Sequence, residues 1–237
     1  MGTKMLKDFF MYHLIYPESS FNNNDEGIVE IAFSTNTNGD VLSSEIISSV
    51  SPDIDREALR LFNLIIWQPA LKYGIKVKGE DVLNINFNKK KYKKVVKRRA
   101  YADIITSYIK DTSYAIYNEK VLDSIAKPIL PDGCSILYDY VYKQMKYPQQ
   151  AVELEIQGKV EICFIIETNG LPSNFVVNKS VGGGCTREAL RIVKNLKWQP
   201  GFKNKLAVRS RKTMFIEFRL TSVKSGTHVP NQSNSGL

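Results

Sequence analysis

The sequence predicts an α+β protein that consists of two tandem copies of one small domain. Residues 16–88 and 147–219 align without a gap at a shift of 131 positions and are identical at 24 of 73 positions. Each copy also shows the same order of patterns: a helix, two strands, a second helix and a last strand. This level of identity without an insertion indicates a duplicated fold with the element order α-β-β-α-β.

Each copy begins with a short predicted helix that ends at a Tyr-Pro pair. The sequence LKDFFMYH at 6–13 precedes Tyr16-Pro17, and LYDYVYKQM at 137–145 precedes Tyr147-Pro148. The residue before a proline disfavours the helical conformation, so both helices should stop there. The polar segment that follows is predicted to be a connection in the first copy and more helical in the second.

Two strands joined by an Asn-Gly turn come next in each copy. Apolar and polar residues alternate at 29–34 and at 160–165, and this period of two is typical of a half-buried strand. Both central residues of a tight hairpin turn need positive φ, which makes Asn38-Gly39 and Asn169-Gly170 strong turn signals. The predicted second strands are 41–48 and 173–180, and the predicted last strands are 77–87 and 208–220.

The second helix of each copy is predicted to start near Asp55 or Thr186, which are residue types that favour helix N-termini. An apolar stripe at helical spacing follows in both copies. The members of the stripe are Ala58, Leu61, Phe62 and Ile65 in the first copy and Ala189, Ile192, Val193 and Leu196 in the second. Both helices stop at Trp-Gln-Pro, and Trp67 and Trp198 are interpreted as core anchors because a large aromatic ring buries much apolar area.

Charge divides the chain into an acidic and a basic part. Counted from the sequence, residues 1–88 carry a net charge of −5, whereas 89–135 and 136–221 carry +6 and +7. The predicted organisation is a first domain, a basic linker, a second domain and a disordered tail. These segments span 1–90, 91–127, 128–222 and 223–237.

The ordered motifs resemble the C-terminal domain of TonB, the periplasmic energy transducer. The resemblance rests on the short helix, Tyr-Pro, Gly-x-Val-x-Ile-x-Phe, Asn-Gly, Arg-Glu-Ala-Leu, Trp-Gln-Pro and a last strand ending Ile-x-Phe, all seen twice. The lead-in at 127–133, KPILPDG, is similar to that of Bacteroidota-type members. The resemblance implies three antiparallel strands with two helices packed against them in each copy.

The resemblance also implies a binding role without cofactors. Members capture an extended segment of an outer-membrane transporter, the TonB box, by adding it to the edge strand. They couple transport to the inner-membrane ExbB–ExbD motor, which would require an anchor upstream in the complete protein. The implied location is the periplasm, with inner-membrane anchoring, and a homodimer stays open.

The last strand of the second copy is the predicted peptide-binding edge. An open sheet edge offers unpaired N–H and C=O groups that an extended peptide can satisfy. The basic side chains would attract an acidic partner, or they would merely keep the edge from aggregating. The predicted residues are Val208, Arg209, Ser210, Arg211, Lys212, Thr213, Met214, Phe215, Ile216, Glu217 and Phe218, with Lys146, Tyr147 and Pro148 close by.

The sequence departs from the family at one position near the bound segment. Some members have Gln before Tyr-Pro, whereas Ile15 and Lys146 stand there in the two copies. Contacts made by that Gln therefore do not transfer. The first copy is acidic and rich in Asn, so a spacer and a docking surface for the second copy are alternatives to ligand binding there.

Catalytic chemistry finds little support, and neither a catalytic nor a metal site is predicted. His13 is interpreted as a helix-surface residue and His228 lies in the tail, without a nucleophile or metal partner by motif. Cys134, Cys163 and Cys185 fit no zinc spacing. Gly182-Gly183-Gly184 before a helix is a weak phosphate-loop signal, and Cys185 is interpreted as an inert small residue rather than a thiolate.

The basic run KKKYKKVVKRR at 89–99 supports an alternative function. In that reading the protein is an adaptor that binds an anionic polymer (cell wall, lipid headgroups or nucleic acid) through the linker and the second domain. Tyr92 supplies a single ring, which is too few for a stacking platform, and nucleic acid is not expected as a partner. A solvated linker is the simpler interpretation of the run.

Overall fold

The protein is described here by a computed structural model that covers residues 3–99, 108–131, 133–221 and 229–230. The chain forms two compact units, Met1–Asp103 and Ile104–Leu237. Each unit combines helices with antiparallel strands, which confirms the predicted α+β class. Each contains one copy of the repeat.

The first unit contains a three-stranded antiparallel sheet with helices packed on it. Its elements in chain order are α1 (Thr3–His13), α2 (Glu18–Asn23), β1 (Gly27–Thr35), β2 (Val41–Ser48), α3 (Pro52–Leu64), β3 (Ala70–Lys72), β4 (Ile75–Val77), β5 (Gly79–Phe87) and α4 (Lys89–Arg99). The strand order is β2-β1-β5, and β3 and β4 form a separate short hairpin. β5 therefore lies at one edge of the sheet.

The second unit repeats this plan and adds strands from the segment before it. Its elements in chain order are β6 (Ile116–Tyr117), a 3₁₀-helix (Glu119–Val121), β7 (Lys127–Ile129), α5 (Leu137–Gln144), α6 (Gln149–Glu153), β8 (Gly158–Ile166), β9 (Pro172–Lys179), α7 (Cys185–Asn195), β10 (Lys197–Gln199), β11 (Gly201–Lys203), β12 (Leu206–Phe218), β13 (Leu220–Thr221) and β14 (Val229–Pro230). The path β11-β12-β8-β9 is antiparallel, and β6 pairs with β12 in parallel.

Each core lies between the inner face of its sheet and the apolar stripe of its second helix. The predicted stripe residues of α3 and α7 are all buried, as the helical spacing requires. The inward-facing strand residues are also buried, among them Ile31 and Phe33 in β1 and Ile162 and Phe164 in β8. Alternation on the strands and the stripe on the helix therefore meet in one core per copy.

The Asn-Gly turns and the Trp-Gln-Pro motifs lie against each other. Gly39 and Gly170 both have positive φ, at 93° and 78°, as predicted. A Cβ atom on Gly39 would lie 2.5 Å from the carbonyl oxygen of Trp67. In the second copy the backbone N–H of Trp198 donates to the carbonyl of Gly170 at 3.1 Å. Glycine thus allows both the turn and its contact with the Trp segment.

Helix α7 begins at Cys185, next to the predicted Thr186, whereas α3 begins at Pro52, three positions before the predicted Asp55. Neither side chain is the N-cap. The Asp55 carboxylate instead accepts the backbone N–H of Val50 at 3.1 Å. The Thr186 hydroxyl bonds to both the N–H and the carbonyl of residue 181, each at 2.8 Å. These polar side chains close the loop before the helix.

The linker and the polar connection are more structured than predicted. Residues 89–99 form α4, which packs within the first unit, and 108–131 pair with strands of the second unit. The segment after Tyr16-Pro17 contains α2, so it is helical in both copies. In the predicted disordered tail, Val229–Pro230 pairs with Leu220–Thr221; the rest of the tail lies outside the described residues.

Candidate functional site

A pair of charged residues in the second helix holds the chain just before Tyr-Pro. In the second copy the Glu188 carboxylate accepts the backbone N–H of Lys146 at 2.7 Å. Arg191 donates to Glu188 at 2.7 and 2.8 Å and to the carbonyl of Gln144 at 2.7 Å. Burial tends to raise the pKa of Glu188, but these hydrogen bonds and the Arg191 charge outweigh it and lower that pKa.

The same clamp occurs in the first copy. Glu57 accepts the backbone N–H of Ile15 at 2.7 Å, and Arg60 donates to Glu57 at 2.6 Å and to the carbonyl of His13 at 2.7 Å. The Arg-Glu-Ala-Leu-Arg motif therefore fixes the end of the first helix in both copies. This role of Glu57 and Glu188 was not predicted from the sequence, although the recurrence of both glutamates at the same shift was a signal for it.

The tyrosine of each Tyr-Pro pair closes the turn that follows it. The Tyr147 hydroxyl donates to the carbonyl of Ile156 at 2.8 Å, and Tyr16 donates in the same way to Asp25. Burial and the carboxylates of Glu26 and Asp25 raise the pKa of Tyr16 to about 12. The phenol stays protonated and keeps its donor function at ordinary pH. Tyr147 and Pro148 are half-buried, and Lys146 is exposed.

β12, which holds all of the predicted edge residues, is the last strand of the sheet of the second copy. It pairs with β8 from Ser210 to Phe218. Met214, Ile216 and Phe218 are buried, whereas Arg211, Thr213 and Phe215 are exposed. The ammonium group of Lys159 lies 4.5 Å from the centre of the Phe215 ring.

The start of the predicted edge is paired by the protein's own chain. The N–H of Ala207 donates to the carbonyl of Ile109 at 2.8 Å, and β6 pairs with Arg209 and Ser210. Backbone groups alternate between the two edges of an antiparallel strand. The outward N–H groups that follow are therefore those of Arg211, Thr213 and Phe215, for which the described residues supply no strand partner.

Two of the three basic side chains that were expected to attract an acidic partner already form ion pairs within the second unit. Arg209 is buried and donates to Glu167 at 2.8 and 3.0 Å, and to the carbonyl of Tyr114 at 2.9 Å. Lys212 pairs with Glu119 at 2.6 Å. A buried pair of this kind fixes the segment that carries Tyr114 against β12. Arg211 is the predicted cation that remains exposed on the strand.

The first copy has a longer open edge than the second. β5 pairs with β1 over its whole length, from Gly79 to Phe87. Its other edge meets no strand within the described residues. Within the described residues, no segment pairs with β5 in the way that 110–117 pairs with β12.

The remaining candidates for chemistry have packing roles. His13 is buried and stacks on Phe9 at 4.7 Å, so the surface interpretation is wrong. Burial raises the pKa of the Cys185 thiol, which opposes a thiolate. All three cysteines are free. A Cβ atom on Gly183 would lie 2.8 Å from Ala151, so this glycine permits close packing of α6.

The two tryptophans differ in burial. Trp198 is 1% exposed, which confirms it as a core anchor, and its ring lies 5.9 Å from that of Phe164. Trp67 is half-buried and packs against Phe33 at 4.2 Å and Phe62 at 5.3 Å. Among the described residues no cluster of His, Cys, Asp and Glu could hold a metal ion.

The fold and its edges define a class: small tandem α+β modules whose last strand presents a sheet edge. The family described as Gram-negative bacterial TonB protein C-terminal matches residues 12–88 and 143–220. The chain belongs to this family, in two copies, as the repeat predicted. No curated protein matches the sequence. The family is periplasmic and consists of non-enzymatic energy transducers.

The helices are short. Within the ranges that the structure describes, no helix has both the length and the apolar character needed to cross a membrane. The longest helix in these ranges, α3, has 13 residues, against the ~20 apolar residues of a typical membrane span.

Proposed function

We propose that the protein is a TonB-like periplasmic module that couples inner-membrane energy to an outer-membrane transporter by capturing an extended transporter segment. The observation that carries the proposal is the open outer edge of β12 from Arg211 to Phe215. Unpaired backbone groups at a sheet edge bind an extended peptide as an additional strand. Backbone pairing tolerates many side chains, which suits a module that serves several transporters.

The side chains around this edge favour an extended peptide that carries both acidic and apolar side chains. Arg211 offers a positive charge, and Phe215 offers a ring that is 39% exposed. The outward N–H groups of Arg211, Thr213 and Phe215 give three anchoring points along the strand. Tyr142 lies near the end of the edge: burial raises its pKa, and a hydrogen bond from the backbone of Glu217 opposes that shift. The guest would therefore lie between the paired segment and Tyr142.

The open edge of β5 makes the first copy a second candidate for the same mode of binding. Force transfer through either edge would require a link to the ExbB–ExbD motor, and a membrane anchor upstream would supply that link. Formation of a homodimer also stays a prediction, which the sedimentation of the purified chain would check.

Titration of the full chain with synthetic peptides from transporter N-termini tests the proposal. We expect amide chemical shifts to change along β12 or β5. Replacement of Thr213 by Pro removes an outward N–H and leaves the inner ladder intact. The loss of one backbone hydrogen bond, about 1 kcal/mol, should weaken peptide binding at β12 by about fivefold or more.

Thr213→Val is the matched control, because it changes the same side chain and keeps the backbone N–H. It should bind like the wild type. Shifts confined to other surfaces, or equal affinities for the two variants when β12 is the responding strand, would contradict edge capture at β12.

A further inference from the structure

Helix α4 concentrates positive charge on one surface of the first unit. Eight of its 11 residues are Lys or Arg, and none is acidic. Lys90, Lys91, Lys94 and Lys97 are exposed. In the described part of the chain their ammonium groups contact no carboxylate. These four side chains form what we call the lysine face.

The helix is fixed on the domain, so the lysine face has a defined position. The Asn88 side chain accepts the N–H of Lys91 at 2.9 Å, and Glu26 accepts the N–H of Lys89 at 2.5 Å. The Tyr92 ring packs against Tyr16 at 5.4 Å and Phe21 at 6.2 Å. The family match ends at residue 88, so α4 is an addition to the family's domain.

An apolar cleft borders each side of α4, and lysines line both clefts. The first has a volume of about 490 Å³ and lies between α1, β5 and α4, with Phe10, Met11 and Val95 in its wall beside Lys7 and Lys91. The second, of about 330 Å³, is lined by Phe21, Tyr92, Lys93, Val96 and Lys97. Apolar surface next to unpaired ammonium groups matches a ligand that is itself amphiphilic and anionic.

We propose that α4 docks the first unit on the surface of an anionic phospholipid bilayer. Headgroup phosphates would contact the lysine face, and the adjoining apolar part of the lipids would cover the two clefts. Polybasic segments gain about fivefold in membrane partitioning for each lysine near an anionic surface. This inference depends on α4 and the two clefts beside it, and not on the capture of a transporter segment.

A nucleic acid fits this surface less well than a bilayer does. Binding of single strands requires exposed rings on which bases stack. Tyr92 is the single aromatic residue of α4, and its ring is engaged with Tyr16 and Phe21. A nucleic acid would also leave both apolar clefts without an apolar partner. Charge and apolar surface together therefore favour the lipid.

Flotation of the full chain with vesicles tests the inference. We expect binding to phosphatidylcholine vesicles that contain phosphatidylglycerol, little binding to phosphatidylcholine alone, and weaker binding as salt rises. The variant K90Q/K94Q/K97Q should lose about a hundredfold in affinity, because three lysines each contribute about fivefold.

The control variant K76Q/K143Q/K179Q removes the same net charge from exposed lysines outside α4 and should bind nearly as the wild type does. Circular dichroism would show that both variants are folded. If both variants lost the same vesicle affinity, binding would depend only on net charge, and the assignment of the site to α4 would be wrong. Tighter binding of the wild type to a single-stranded oligonucleotide, lost in the α4 variant, would also overturn it in favour of a nucleic acid.

Discussion

At the scale of single residues, the best-supported interactions are the two charged clamps before Tyr-Pro. In the second copy Glu188 joins α7 to the end of α5, because it accepts the backbone N–H of Lys146 and pairs with Arg191, which in turn bonds to Gln144. A group whose pKa is lowered on folding stabilises the fold above its unfolded pKa. That contribution is lost as pH falls through the folded pKa.

Replacement of Glu188 by Gln should therefore lower the free energy of unfolding most at neutral pH. Charge-assisted hydrogen bonds of this kind are worth about 1–3 kcal/mol. The difference from the wild type should shrink as pH falls below the ordinary carboxyl pKa of 4.5, because Glu188 in the unfolded chain binds a proton first and the folded state follows only below its lowered pKa. Urea unfolding of both proteins across this pH range measures the effect.

Glu153→Gln is the matched control, since Glu153 is exposed and, among the residues that the structure describes, its carboxylate is hydrogen-bonded only to the Gln149 side chain. It should change stability little at any pH. The clamp would not depend on charge if the difference in free energy of unfolding between Glu188→Gln and the wild type stayed constant down to acid pH.

Other residue roles could not be predicted from the sequence. Arg209 was expected on an open edge, yet it is buried against Glu167 and Tyr114. The equivalent positions of the first copy are Lys78 and Asn36, so the repeat gave no sign of this pair. It depends on contacts across 42 and 95 positions of the chain, which no local pattern encodes.

At the scale of elements, the start of α7 shows why glycine stands there. Gly183 and Gly184 have φ of 62° and 91°, and a Cβ on Gly183 would lie 2.8 Å from that of Ala151. Gly182 lacks positive φ, and a Cβ there would meet only the end of the Ile156 side chain at 3.8 Å.

Gly183→Ala should therefore lower the free energy of unfolding by about 1–3 kcal/mol, because it adds backbone strain and a clash with α6. Gly182→Ala is the control in the same loop and should cost less than about 1 kcal/mol. Thermal unfolding measures both. Equal costs for the two substitutions would show that the packing of α6 does not depend on Gly183.

The periodicity of apolar residues predicted the helices and strands of the two copies, whereas some of their first and last residues differ from the prediction. β2 was predicted at 41–48, as observed, because alternation and an Asn-Gly turn are local signals. The sequence predicts a linker where α4 forms, because the many charged residues obscure the helical spacing of Tyr92, Val95 and Val96. Those three positions form a helical stripe only in a chain that already offers a surface to cover, so tertiary packing decides the helix.

At the scale of the whole molecule, each unit has its own core and one tryptophan. Trp67 lies in the first unit and Trp198 in the second. Variants that keep one tryptophan can therefore report the unfolding of each unit separately. Domains with their own cores generally unfold as units.

Ile162→Ala should lower the free energy of unfolding reported by Trp198 by about 2–5 kcal/mol, because Ile162 is fully buried in the second core. The urea concentration at the midpoint of the transition reported by Trp67 should not change. Fluorescence in urea of each single-tryptophan variant, with and without the substitution, measures both. A Trp67 transition that shifts by the same amount would contradict separate cores.

The duplication, the element order and membership of the family followed from local sequence alone, because periodicity, turn residues and repeated motifs are read within a few positions. The tertiary structure decided which backbone edges are still open and which charges are already paired. Those properties depend on segments such as 110–117, which lie about a hundred positions before β12 and yet pair with it. A sheet edge is defined by what the rest of the chain leaves beside it, and only the folded chain shows that.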